Sequence, residues 1–377
     1  MFGRQVPVAR IGGLSIVVDP SWFIIFIFVA WGLSAGYFPQ VVPGRPTAVY
    51  WVAGVLASLS LFLSVTLHEL GHSLVARARG MEVRRIVLFL FGGVSQLEEE
   101  PGNPRTEFVM AIVGPLISFA LAAAFWLIHG LLPAAEAPSL LGSFLIYLSV
   151  VNFALGVFNL LPGFPLDGGR VLRSLLWSRW KDLVRATRVA SQVGAGFGLG
   201  LMILGGINIL SGNPMGGFWY ALIGFFLRNA AQTSFRQLTV RSLLEGITVG
   251  ELMTRDPITV DPSISLETFV DDFILRHHHR AFPVTEGGRL VGLADMDAVK
   301  RVPREGWKGM TVREVMTPLT ELRTVTADQP AAEAIKTIGP GVGRVLVAAG
   351  GRLEGILSRR DLMDLITLKS DLRGPGR

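Results

Sequence analysis

A polytopic α-helical membrane domain of about six transmembrane helices, followed by a soluble α/β module, is the fold class that three observations predict. Half of the 377 residues are hydrophobic and only 17% are charged, where soluble domains usually carry nearer a quarter. The charge is also unevenly placed: long uncharged runs fill the chain before Arg236, and the remainder has ordinary composition. Third, the C-terminal part repeats itself. "VGELMTRDPITV" at Val249 is echoed by "VREVMTPLTELRTV" at Val312, and "GGRLVGLADMDAV" at Gly287 by "GGRLEGILSRRDL" at Gly350, both at an offset of 63 residues.

Uncharged runs mark the spans: about Ser21 to Phe38, Pro46 to Leu67 and onward through the histidines, Phe108 to Ile128, and Ala137 to Leu166. The run Val189 to Leu227 is too long for one helix, and "SGNPMGG" at Ser211 to Gly217 divides it into two. In the sixth span Arg228 has to snorkel to the interface. The apolar span that follows "MFGRQVPVARIGG" looks long enough to stay in the bilayer, so no cleavable signal peptide is expected. An even number of spans puts both termini on one side. Basic residues collect on that side, at Arg4 and Arg10, from Arg77 to Arg85, at Arg105 and from Arg170 to Arg188, while Arg45 is nearly alone opposite. The termini are therefore expected to be cytoplasmic. The same clustering between apolar runs accounts for the pI near 10.0, so no nucleic-acid partner is expected. With no cysteine, disulfides, thiolate metal sites and thiol nucleophiles are excluded.

Ionisable groups in lipid are costly and mark function. "SVTLHELGHSLVARARG", beginning at Ser64, puts His68, Glu69 and His72 near the end of the second span. Residues four apart share a helix face, so His68 and His72 can bind one Zn²⁺, with Glu69 as general base toward water. A catalytic zinc wants a third protein ligand. Asp167, in "NLLPGFPLDGGR", ends 30 residues without charge. Pro162, Gly163 and Pro165 should break the helix there, turning backbone and carboxylate inward, where a metal is the natural partner. The bland alternative is a helix-ending turn whose aspartate meets water.

H-E-L-G-H in the second span with N-x-x-P-x-x-P-L-D-G-G in the fourth resembles the site-2 protease family of intramembrane zinc metalloproteases. The resemblance extends to "IGGLSIVVDPSWF", "FGGVSQLEEE" and "AIVGPLIS" and covers roughly Arg10 to Arg188. It implies one Zn²⁺ per chain on His68, His72 and Asp167, Glu69 as catalytic base, and Asn159 holding substrate or the oxyanion. It also implies that Gly114 and Ser118 pack against the catalytic helices. The segment Ile86 to Leu97 would be a membrane-associated β-hairpin whose free edge pairs with an unwound substrate strand. The implied partners are transmembrane protein substrates and the bilayer of a prokaryotic cell membrane.

The repeat resembles a pair of cystathionine-β-synthase (CBS) domains. Each copy reads strand, helix, strand, strand, helix, with "FPV" and "VLVAA" as strands. The expected organisation is residues 1–236 as membrane domain, 237–247 as linker and 248–377 as the pair, with copies at about 248–303 and 311–368. Such pairs often bind adenine nucleotides such as ATP or AMP, and assembly into homo-oligomers is expected through them. In the family pattern a hydroxyl meets phosphate and an aspartate three residues on meets ribose. The second copy has Ser358 and Asp361 there, with Arg359 and Arg360 beside them; the first has Asp295 and Ala298. No metal is expected at His277–His279, and "LEEEPG" at Leu97 reads as a solvated turn. Two other functions compete: a nucleotide-gated transporter or channel using the His–His–Asp group for permeation, and an inactive protease-like scaffold. Glu69 favours the enzyme, because a permeation site has no need of it.

Overall fold

Five helices among the described residues are long and apolar enough to cross a membrane. They are α1 (Ser21–Val41), α2 (Thr47–Ala78), α3 (Pro104–Gly130), α4 (Leu140–Asn159) and, after the short α5 (Asp167–Trp180), α6 (Leu183–Leu210). The computed structural model describes residues 5–90, 92–97, 100–133, 138–338 and 343–373; Arg4, Ala137 and the Glu98–Glu99 part of "LEEEPG" lie outside them. The expected sixth span is a 31-residue helix, α7 (Pro214–Leu244), but it is not one of the five. Arg228, Asn229, Gln232 and Arg236 dilute its apolar stretch. It still returns antiparallel along α6. A β-carbon on Gly198 would lie 2.6 Å from the Gly224 carbonyl, and one on Gly205 would lie 2.7 Å from that of Gly217. Small residues thus let the two backbones approach closely.

Several hydroxyls inside these helices are satisfied locally. Ser34, Ser58, Ser64, Thr66 and Thr187 each donate to the carbonyl one turn back, as a polar group without water requires.

Four strands form a sheet in the order β1 (Val6–Ile11), β2 (Leu14–Val18), β3 (Val83–Phe89), β4 (Gly92–Leu97). Gly12 and Gly13, both at positive φ, turn β1 into β2; β2 runs parallel to β3, and β3 pairs antiparallel with β4. The buried face, Ile16, Val18, Ile86 and Leu88, packs on Val65 and Leu70 of α2. The hairpin expected from Ile86 is therefore half of a larger sheet, completed by the N-terminal segment. β4 is its outer strand on the hairpin side, with β1 at the opposite edge.

The proline-rich segment does break the helix: α4 ends at Asn159 and α5 begins at Asp167. The intervening turn is seated against α6. Phe164 donates its N–H to the Ala190 carbonyl at 3.1 Å, and a β-carbon on Gly194 would lie 1.9 Å from the Phe164 carbonyl oxygen. From α5, Arg173 reaches back to α3. Its side chain, 4% exposed, pairs with the fully buried Glu107 and, at 2.8 Å, with Glu100, and its guanidinium lies 5.0 Å from the Phe164 ring centroid.

The chain divides into two units, Met1–Arg236 and Gln237–Arg377. In the second, the two copies fold alike. Thr248 with Glu251 and Thr311 with Glu314 form matching capping boxes, and the turns Gly287–Gly288 and Gly350–Gly351 all have positive φ. Bonds from the Thr311 amide and hydroxyl hold the Glu314 carboxyl below its ordinary range. The central hairpins are Ala281–Glu286 with Arg289–Asp295, and Arg344–Ala349 with Arg352–Ser358. Each copy lends the other a short strand: Thr254–Arg255 pairs with the second hairpin, and Thr317–Pro318 with the first. His277 and His279 lie beside the Phe282 ring, with centroids 6.4 Å and 5.9 Å away.

Removing one member of a buried ion pair leaves an uncompensated charge. Glu107→Ala should therefore destabilise the membrane unit by roughly 3–5 kcal/mol, read as a lowered melting temperature of the detergent-solubilised protein, whereas Glu100→Ala, removing the more exposed partner, should have a smaller effect.

Candidate metal centre

Helix α2 carries His68 and His72 on the stripe that faces α3, and Asp167 enters from the first turn of α5. The His68 Nε2 and His72 Nε2 atoms lie 3.0 Å and 3.1 Å from the same oxygen, Oδ2 of Asp167. These three residues form a group able to hold a metal ion, with one donor atom from each within 4.8 Å of the others. Both histidines are buried, 3% and 5% exposed.

The other ring nitrogens are anchored by α3. His72 Nδ1 lies 2.6 Å from the Met110 carbonyl oxygen. A carbonyl only accepts, so Nδ1 carries the proton, and in the neutral imidazole Nε2 presents a lone pair. His68 Nδ1 lies 2.9 Å from the Ser118 hydroxyl, which can accept in the same way. Two lone pairs and a carboxylate oxygen then face one another at about 3 Å, an arrangement that favours a cation between them. Such outer partners fix the tautomer and orientation of metal-ligating histidines. Space is also reserved: a β-carbon on Gly114 would lie 2.2 Å from His72 Nε2 and 2.6 Å from His68 Nε2. The donor set fits zinc, which accepts two imidazoles and a carboxylate with one position open.

Glu69 occupies the neighbouring stripe of α2 and faces the outer strand. Its Oε2 lies 2.9 Å from the Ser95 hydroxyl on β4. Asn159, the last residue of α4, donates its amide to the Leu155 carbonyl at 3.0 Å and does not belong to the three-residue group. The Gly114 and Ser118 positions, expected as packing residues, bear directly on the two imidazoles. The Met110 carbonyl was not foreseeable, since a backbone acceptor has no sequence signature; the buried Glu107 three residues earlier was the available hint that this face of α3 meets polar groups.

In the CBS copies, Ser358 and Asp361 bond to each other. The Ser358 hydroxyl and amide both lie 2.8 Å from Asp361 Oδ2. In the first copy Asp295 caps the following helix, accepting from the Ala298 amide at 2.7 Å. Arg359 donates its amide to the Gly343 carbonyl.

Comparison with known proteins gives the family of each part of the chain. The model of peptidase family M50 matches residues 56–137 and 128–201, and that of the CBS domain matches 249–305 and 312–368. The Rip3 protein of Mycobacterium tuberculosis is 35% identical over 365 residues, covering 96% of this chain and 92% of its own. Zinc metalloprotease MJ0392 of Methanocaldococcus jannaschii is 32% identical over 355 residues, covering 93% and 94%. The solved site-2 protease of the same archaeon is 29% identical, covers 61% of this chain and 94% of its own, and superposes with a TM-score of 0.44. The chain belongs to peptidase family M50, the site-2 protease family, and is a multi-pass membrane protein with a C-terminal CBS pair.

Purified protein should retain about one zinc ion per chain, measured by elemental analysis. Asp167→Ala and Gly114→Ala should lose it, the first by removing a donor and the second by filling the space between the imidazoles. Ser118→Ala should weaken zinc affinity roughly 10- to 100-fold.

Proposed function

We propose that the chain is an intramembrane zinc endopeptidase that cleaves other membrane proteins within or near their transmembrane segments, in regulated intramembrane proteolysis. The observation that carries the reading is the convergence of His68, His72 and Asp167 in an apolar helical domain, with Glu69 on the adjoining helix stripe. His68, His72 and Asp167 would hold the zinc. Bound there, the ion would supply Lewis acidity toward water and toward the scissile carbonyl. Glu69 takes a proton from the attacking water and delivers it to the leaving amine. The Met110 carbonyl keeps the His72 ring in the tautomer that leaves Nε2 free, and Ser118, accepting from His68 Nδ1, would do the same for the other ring. A substrate helix has to unwind first, because its amides are already hydrogen-bonded, and the outer strand β4 offers backbone groups to receive the extended segment. Asn159, the last residue of α4, would help to hold that segment.

The distribution of basic residues supports cytoplasmic termini, which would put the CBS pair where adenine nucleotide is abundant. Of the two copies the second fits nucleotide better: its Ser358 and Asp361 match the phosphate- and ribose-binding pattern, while Asp295 in the first would set a carboxylate against phosphate. Nucleotide binding coupled to the zinc site would change cleavage by the coupling free energy, typically ~1–3 kcal/mol. Homo-oligomerisation through the CBS pairs belongs to the same reading.

Glu69→Gln should keep its zinc and lose proteolysis of a single-span membrane substrate; retained cleavage would remove Glu69 from the mechanism. Reporter fusions after Arg77 and Lys181 should report cytoplasm, and fusions near Pro133 and Asn213 the opposite side. Calorimetry with ATP on the whole chain should give about one site per CBS pair, lost in Asp361→Ala and little changed in Asp297→Ala, the first copy's aspartate one position before Ala298; two equal sites would contradict the assignment.

A further inference from the structure

We propose that Ser95, with Gly93 beside it, is a positioning residue for Glu69, so that the outer strand β4 aims the catalytic carboxylate. The proposal rests on the reading of Glu69 as the proton acceptor. Helix α2 presents two adjacent stripes. His68 and His72 face α3 and Asp167, while Glu69 and Ser73, also four residues apart, face β4. Between the members of that second pair sits Ser95. Its hydroxyl lies 2.9 Å from Glu69 Oε2 and 3.2 Å from the Glu69 carbonyl oxygen. The Ser73 hydroxyl donates to Ser95 Oγ at 3.0 Å, and Ser73 is fully buried.

The order of donors matters. A serine hydroxyl has one proton. Because Ser73 occupies the acceptor side of Ser95, the Ser95 proton is directed at Glu69, where the charged Oε2 at 2.9 Å is a nearer and stronger acceptor than the carbonyl at 3.2 Å. A relay of this kind polarises each bond in it, and a hydrogen bond onto a carboxylate is among the stronger ones. Oε2 is thereby held, and Oε1 is the oxygen left to take the proton of the attacking water. Glutamate has three side-chain torsions and would otherwise sample many orientations. Gly93 completes the restraint, because a β-carbon there would lie 2.5 Å from Glu69 Cγ and 3.2 Å from Cδ. Only a glycine lets the strand lie this close to the carboxylate arm. The strand placed to receive substrate backbone is thus also the wall against which the general base rests.

The test uses the full-length, zinc-loaded protein and a quenched fluorescent single-span peptide cleaved by the wild type. A misplaced catalytic group typically costs ~10²-fold in rate. Ser95→Ala should lower kcat roughly 10- to 100-fold with KM within about twofold and zinc content unchanged, and Ser95→Thr, which keeps the hydroxyl, should restore most of the loss. A purely structural role for Ser95 would instead lower the melting temperature or raise KM. The chain has no cysteine of its own, so a second readout needs no activity. Glu69→Cys combined with Gly93→Cys should form a disulfide on mild oxidation of the metal-free protein, since the two β-carbons fall near the ~3.8 Å that a disulfide spans. A wild-type kcat in Ser95→Ala, a loss confined to KM or zinc, or failure of the disulfide overturns the proposal. Activity surviving in Glu69→Gln would instead overturn the underlying reading of Glu69, and the two failures are distinguishable.

Discussion

The membrane unit is organised around the expense of leaving a charge or a polar atom unmatched where water is scarce. His72 Nδ1 is matched by the Met110 carbonyl, His68 Nδ1 by the Ser118 hydroxyl, and Arg173 by two glutamates. Hydroxyls facing the helix interior turn back on their own backbone. The donor atoms of His68, His72 and Asp167 converge at the centre, and their surround, down to the absent side chain of Gly114, leaves room for a cation.

Helix α2 does two jobs because its period places them side by side. Residues 68 and 72 point one way and residues 69 and 73 the next, so six consecutive residues address α3 with one stripe and β4 with the other. The first stripe is met by elements distant in sequence, Ser118 50 residues beyond His68 and Asp167 99 residues beyond it, and the second by Ser95, 26 residues beyond Glu69. The Arg173–Glu107 pair ties the two suppliers, α3 and α5, to each other across 66 residues.

That separation explains which parts were legible in the sequence. His68, Glu69 and His72 were readable because their relation is local and helical, and Asp167 because a carboxylate after a long uncharged run, among prolines, had no bland explanation as good as a metal. The internal repeat was readable by simple comparison of the chain with itself. The pairing of β2 with β3 was not, since strands 14–18 and 83–89 carry no shared mark that announces a partner. Nor was the sixth span settled by counting apolar residues: α7 is a long helix packed on α6 through glycines, yet its polar residues keep it from meeting the standard of the other five. The Met110 carbonyl and the buried Glu107–Arg173 clamp depend wholly on tertiary contact.

The exchange of short strands between the CBS copies has a consequence for how that unit holds together. Thr254–Arg255 sits in the sheet of the second copy and Thr317–Pro318 in the sheet of the first, and Ala281, Leu290, Leu293 and Leu346 share one apolar cluster. A single nick in the connection near Lys308 would leave each fragment with a strand seated in the other, so the halves would stay clasped without a peptide bond between them. Duplication of sequence has here produced two copies that are no longer separable objects: neither can leave without taking part of its sibling's sheet.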